Sequence, residues 1–266
     1  MRAMPIRVLA GSGGIVQLKA SFTKNWIHYL QEALGLAIFM ISACFFGSLL
    51  ESDKGLLRLT IENSFERMLT MGVLMGSTAL FIFYSPWTSP SGSHINPAVT
   101  LSFLRLGKIC HWDAAFYIVF QFAGGTVAVF AMQYLLGDAL IKPPVSSAVT
   151  VPGKAGIWPA FFMEFIIAFI TMSMVLFTSE HNSLKKYTRI LSGCLVCVYV
   201  VIAGPISGFG MNPARSFASA WPAHNWKAAW IYLAVPVVSM LCAAECFLLL
   251  QKMKNKKLPD YTSHKI

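Results

Sequence analysis

Six stretches of this chain, residues 33–50, 68–84, 114–136, 157–177, 190–205 and 228–250, are apolar over about the 20 residues that a helix needs to cross a hydrocarbon core of roughly 30 Å. Only Glu164 and Glu245 interrupt them with charge. No other feature limits the fold so severely, because backbone in lipid must satisfy its own hydrogen bonds and therefore runs as helix or closed barrel. The rest of the composition agrees: with 56% hydrophobic and 12% charged residues and a mean hydropathy of +0.62, the chain has too few charges to cover a water-facing globule. Its net charge of +10 does not point to nucleic acid, since the basic residues sit at the ends of the apolar runs and form no continuous stripe. The partner expected from composition is a lipid bilayer.

Two further apolar stretches, 95–104 and 211–221, are only about half a span long, which predicts re-entrant segments ending inside the membrane. Fourteen basic residues fall on the two tails, the Arg105/Lys108 turn and the Lys185/Lys186/Arg189 loop. Six, namely Lys54, Arg58, Arg67, Lys142, Lys154 and Lys227, lie on the other face among acidic residues. That asymmetry puts both termini in the cytoplasm. Residues 1–27 contain no apolar core of a signal peptide and read as a flexible cytoplasmic tail, with 251–266 as a second, basic one. Between them, 28–250 forms one membrane domain in two halves, about 28–136 and 157–250. A plasma or inner cell membrane is the expected location.

Each half-span opens with the same tripeptide, Asn96-Pro97-Ala98 and Asn212-Pro213-Ala214. Asn is a favoured N-cap, and Pro at the first helical position lacks only an N–H that would be unpaired there. With its oxygen capping its own helix, each Asn keeps its amide NH2 as a donor. The first copy follows two spans and the second follows five, so the odd number between them makes the two segments enter from opposite faces. Paired broken helices of inverted topology converge on a site near the midplane. A single Asn-Pro-Ala is an ordinary helix start; two copies in opposed half-spans are not.

On these motifs the chain resembles the aquaporin and aquaglyceroporin family, the major intrinsic proteins, over about residues 26–250. Glu32-x-x-Gly35, Gln121-x-x-Gly124-Gly125, Glu164 and Pro236 strengthen the resemblance. It implies an all-α fold of six tilted helices and two half-helices around one pore per subunit, and a homotetramer. It also implies that Glu32 and Glu164 accept bonds from backbone N–H groups of the re-entrant loops, which is favoured over a proton relay. His94 reads as a loop brace in preference to a gate. Cys194-x-x-Cys197 has metal-like spacing but no second pair, so packing is favoured over a metal site.

The family constriction uses one residue on span two, one on span five, one before the second motif and an Arg after it; Arg215 fits the last. An ungapped count back from Asn212 gives Phe209 and Val200, the latter where water-selective members place His. Gly193 precedes Asn212 by 19 residues and Gly76 precedes Asn96 by 20, so one inserted residue makes them equivalent helix-crossing glycines. Met75 then takes the span-two position, with Gly76 the alternative. Phe209 resembles the glycerol-conducting branch, whereas Ser216 and Ala220 resemble the water branch. The expected function is a passive, non-enzymatic channel for water and small neutral solutes that excludes protons and ions and carries no cofactor. A glycerol facilitator of the same fold is the alternative, and a secondary transporter with broken helices is the alternative of another class.

Overall fold

The structure, a computed structural model, describes residues 14–256. It is helical, with no strand among the described residues. The spanning helices are α1 (Gly14–Glu51), α3 (Ser64–Tyr84), α5 (His111–Leu136), α7 (Ile157–Glu180), α8 (Thr188–Ile202) and α11 (Ala229–Lys256). Short helices α2 (Leu56–Thr60), α6 (Asp138–Ile141) and α9 (Gly204–Ser207) lie in the connections, while α4 (Pro97–Arg105) and α10 (Pro213–Ala220) are the two half-helices.

Two boundaries differ from the sequence expectation. The segment read as a tail up to residue 27 is helical from Gly14, so α1 runs 38 residues. Ser21, Asn25 and Tyr29 recur every fourth residue on one face, and all three donate to a single carboxylate oxygen of Asp113 in the first turn of α5. Phe22 and Tyr29 also pack on Phe116 with ring centroids 5.2 and 4.9 Å apart. At the other end α11 continues to Lys256, five residues past the expected start of the tail at 251. Residues 1–13 and 257–266 of the expected tails lie outside the described residues.

The fifth span is also not one helix. Among the described residues five helices are long and apolar enough to cross a membrane by themselves, whereas α8 has 15 residues, or about 22 Å. Pro205 lacks an N–H and crowds the carbonyl four residues earlier, so α8 ends at Ile202 and the path is completed by the one-turn α9. Together residues 188–207 cover about 30 Å.

Small residues let the helices cross closely. A Cβ on Gly76 would lie 2.9 Å from Cβ of Cys197 and 3.0 Å from the carbonyl oxygen of Gly193, so Gly76 and Gly193 mark the crossing of α3 and α8. A Cβ on Gly124 would lie 2.3 Å from the Ala33 carbonyl oxygen, marking the crossing of α1 and α5. Without a hydrophobic drive between helices in lipid, such close backbone packing contributes much of their association. These contacts bring α4 and α10 head to head at the centre of the bundle.

Candidate functional site

Two loops of related sequence, Ser91-Gly92-Ser93-His94-Ile95-Asn96 and Ser207-Gly208-Phe209-Gly210-Met211-Asn212, lead into the half-helices. Both alternate through left-handed backbone: Gly92 (φ 96°), Ser93 (50°) and Ile95 (42°) in the first, Gly208 (78°), Phe209 (52°) and Met211 (47°) in the second. Such conformations cost of order 1–3 kcal/mol for each non-glycine residue and persist only where the surroundings impose them. Here a buried carboxylate imposes them. Glu32 accepts from the N–H groups of His94 (2.9 Å) and Ile95 (2.6 Å), from Ser91 Oγ (2.6 Å) and from Gln121 Nε2 (2.8 Å). Glu164 accepts from Gly210 N–H (2.8 Å), Met211 N–H (2.5 Å) and Ser207 Oγ (2.6 Å). Both carboxylates are fully buried, so the charge-assisted bonds offset a desolvation that would otherwise expel them.

The halves share further parts that sequence reasoning did not single out. Tyr117 and Tyr232 each donate 2.8 Å to the carbonyl of the loop serine, Ser91 and Ser207. A Ser-Gly pair five residues before each Asn, and a Tyr some 20 residues after it, were the available signals. The halves differ one helical turn beyond the tyrosines: Gln121 bonds both Glu32 and Thr100 Oγ1 (3.2 Å), where α11 has Pro236.

At the motifs, Asn96 Oδ1 caps α4 through Ala98 N–H (2.9 Å), and Asn212 Oδ1 caps α10 through the N–H groups of Ala214 (3.1 Å) and Arg215 (3.2 Å). Pro97 and Pro213 are the first helical residues. Each amide NH2 then reaches across: Asn96 Nδ2 donates 2.9 Å to the Met211 carbonyl, and Asn212 Nδ2 donates 2.6 Å to the Ile95 carbonyl. One of the two hydrogens on each amide is thereby used to lock the loops together, which the sequence reading did not foresee. The other remains for a ligand.

Asn96 and Asn212 line one cavity of about 160 Å³. Its wall is otherwise largely apolar, including Val99, Phe103, Val175 and Met240. It begins beside Thr188, Arg189 and Ser192 at the start of α8, passes His94 and the two asparagines, and reaches Phe209 and Arg215 at the other end. His94 is held on three sides, stacked on Phe103 (4.8 Å), edge-on to Tyr117 (5.3 Å) and 3.2 Å from Thr100 Oγ1 through Nδ1. Its imidazole is therefore both a brace and part of the wall.

Of the four expected filter residues, Phe209 and Arg215 line this cavity. Met75 and Val200 do not, but they pack with Phe209, Ala79, Val196 and Tyr199 in one apolar cluster at its end. Gly76 is turned onto α8, which separates it from the passage. The Arg215 guanidinium donates to Thr150 Oγ1, a buried hydroxyl in the connection between α6 and α7. No local pattern marks Thr150, because a segment distant in sequence brings it there. Cys197 packs at the α3/α8 crossing, and Glu245 pairs with Arg105 at 3.0 Å.

A family model for the major intrinsic proteins matches residues 19–247. The chain is a major intrinsic protein. Its relatives include proteins named aquaporin NIP6-1 from Arabidopsis thaliana (32% identical over 64% of this chain and 54% of that one) and probable aquaporin TIP-type RB7-5A from Nicotiana tabacum (36% identical, 60% and 63%). The matched region thus spans between half and two thirds of these relatives; for probable aquaporin NIP7-1 from Arabidopsis thaliana it reaches 80% of this chain and 72% of that one, at 30% identity. The fold is that of the aquaglyceroporin from Plasmodium falciparum, with a TM-score of 0.70 at 17% identity over 86% of this chain and 98% of the other. This major intrinsic protein is an integral membrane protein, with apolar helices and broken helices arranged as that fold requires.

Proposed function

We propose that the protein is a passive channel for water that also admits small neutral solutes while excluding protons and ions, and that it acts as no enzyme and needs no cofactor. The observation that carries this is the locked asparagine pair on one cavity that ends at the half-buried Arg215. Two half-helix N-termini facing each other place about half a positive charge each at the middle of the passage. Arg215 adds a full charge at one end. Positive half-helix ends and an Arg are the electrostatic barrier by which aquaporin-type pores in general repel cations and protons.

A water oxygen passing between Asn96 and Asn212 finds the remaining N–H of each amide as its donors, beside the apolar Val99, Val175 and Met240. Its hydrogens then turn away from the line of neighbours, which interrupts a proton wire. Arg215, positioned by Thr150, and Phe209 set the narrow end, with Met75 and Val200 behind Phe209 as the apolar support of the filter. Glu32, Glu164, Gly76, Gly193 and His94 hold the frame.

Glycerol facilitation is the second reading, favoured by the apolar Phe209 and Val200 where a polar imidazole would stiffen water selectivity. A carrier is disfavoured because Glu32 and Glu164 already accept four and three bonds and Glu245 is ion-paired, leaving no free intramembrane carboxylate among the described residues for a coupling ion. We assign both termini to the cytoplasm of a plasma or inner cell membrane, from the basic asymmetry, and four copies to the assembly, from the family. Stopped-flow light scattering on proteoliposomes under water and glycerol gradients tests the reading. Osmotic shrinkage should accelerate and glycerol entry should rise linearly with gradient; saturation of flux would instead indicate a carrier.

A further inference from the structure

The inverted repeat assigns every residue at the Arg215 end a counterpart at the other end. In the loops the two halves match with a constant offset, Ser91 with Ser207, Asn96 with Asn212, and hence Ser93 with Phe209 and Val99 with Arg215. In the crossing helices Gly76 matches Gly193, so Met75 corresponds to Ser192 and Val200 to Phe83. The mirror of the filter is therefore Ser192, Phe83, Ser93 and Val99, and all four line the cavity. This inner ring carries no cation, because Val99 stands where Arg215 stands at the other end.

A cation is nevertheless present one turn away. The cavity-facing residues of α8 include Arg189, Ser192 and Val196, spaced by three and four along one helical face, with Thr188 beside Arg189. Arg189 is exposed at the cavity entrance, and its guanidinium lies over the ring of Tyr84, 5.4 Å from the centroid. Tyr84 directly follows Phe83 of the inner ring. A cation over an aromatic face within about 6 Å is attracted to it, which fixes the charge at the mouth. Among the described residues no carboxylate pairs with Arg189; Glu180 and Glu245 are taken by Lys108 and Arg105.

We propose that Arg189 is a second cation-excluding station of the passage, placed at the mouth opposite Arg215 and held there by Tyr84. The inference rests on the channel reading and adds a residue to it. An unpaired charge at a mouth depletes cations from the adjacent water, and the effect fades as salt shortens the Debye length from about 30 Å at 0.01 M to about 3 Å at 1 M.

The test measures proton and potassium leak, normalised to osmotic water flux in the same proteoliposomes. With Arg215→Val as the parent, adding Arg189→Gln should raise the normalised leak about five-fold in about 10 mM salt, equivalent to about 1 kcal/mol. The rise should shrink below about two-fold in about 1 M salt, and Arg189→Lys should stay near the parent. Arg189→Gln in the otherwise unsubstituted protein should shift leak the same way, by about two-fold, and serves if the double variant is not recovered. Unchanged leak at low salt overturns the inference, as does a rise that salt leaves untouched, since that would be widening and not charge. Absence of water flux in the unsubstituted protein overturns the channel reading and this inference with it; normal water flux with no Arg189 effect overturns this inference alone.

Discussion

Thr150→Val removes one hydroxyl while keeping the side-chain volume, so it removes the bond that holds the Arg215 guanidinium, together with a long 3.5 Å bond from Ser216 Oγ. A hydrogen bond to a charged group contributes about 1.5–3 kcal/mol, which is about a 10- to 150-fold preference for the held position. Arg215 keeps its backbone bond to Asn212 and stays in α10, so the helix should survive while the guanidinium gains alternative rotamers. The cavity end beside Phe209 then opens part of the time. Glycerol permeability relative to water should rise by about ten-fold, with osmotic water permeability retained and proton leak rising less than in Arg215→Val. The assay is stopped-flow light scattering with paired water and glycerol gradients, accompanied by thermal stability in detergent to show that the fold persists. An unchanged glycerol-to-water ratio in a stable variant refutes the idea that Thr150 sets the width of the filter.

Three other perturbations address separate parts of the account. Val200→His should lower glycerol permeability several-fold while sparing water; equal glycerol conduction in variant and parent would show that Val200 does not influence the constriction. Gly124→Ala sets a Cβ 2.3 Å from the Ala33 backbone oxygen and should cost about 1–3 kcal/mol or more of stability, whereas Gly47→Ala meets only Val145 at 3.5 Å and should be tolerated, as thermal denaturation in detergent will show. Glu164→Gln leaves one acceptor where two oxygens serve Ser207, Gly210 and Met211, so at least one bond is lost and the others lose their charge assistance, and folded yield and water flux should fall together; full activity would mean that the carboxylate does not shape the loop.

The parts legible in the sequence are those governed by local chemistry. Asn-Pro-Ala starts a helix because an Asn cap and a first-position Pro act within three residues, and both half-helices begin where the motifs put them. The six spans were visible through length and apolarity, although the break in the fifth was not drawn from Pro205. The crossing glycines followed from internal spacing and meet in the structure. What escaped depends on contacts distant in sequence. The helical start of α1 depends on Asp113, some 90 residues on, and the arginine brace comes from a connection 65 residues before Arg215. Of the four residues expected to form a filter, Phe209 and Arg215 line the cavity through the re-entrant loop, whereas Met75 and Val200 pack behind its end, a matter of helix rotation that residue counting does not resolve.

The most direct test of the central claim is osmotic water flux and pH-dye proton flux recorded on the same proteoliposomes under an imposed potential. Water flux well above that of protein-free vesicles, with proton flux no greater than theirs, is the result the paired asparagines and Arg215 predict. Proton conduction that rises in step with water flux would contradict it.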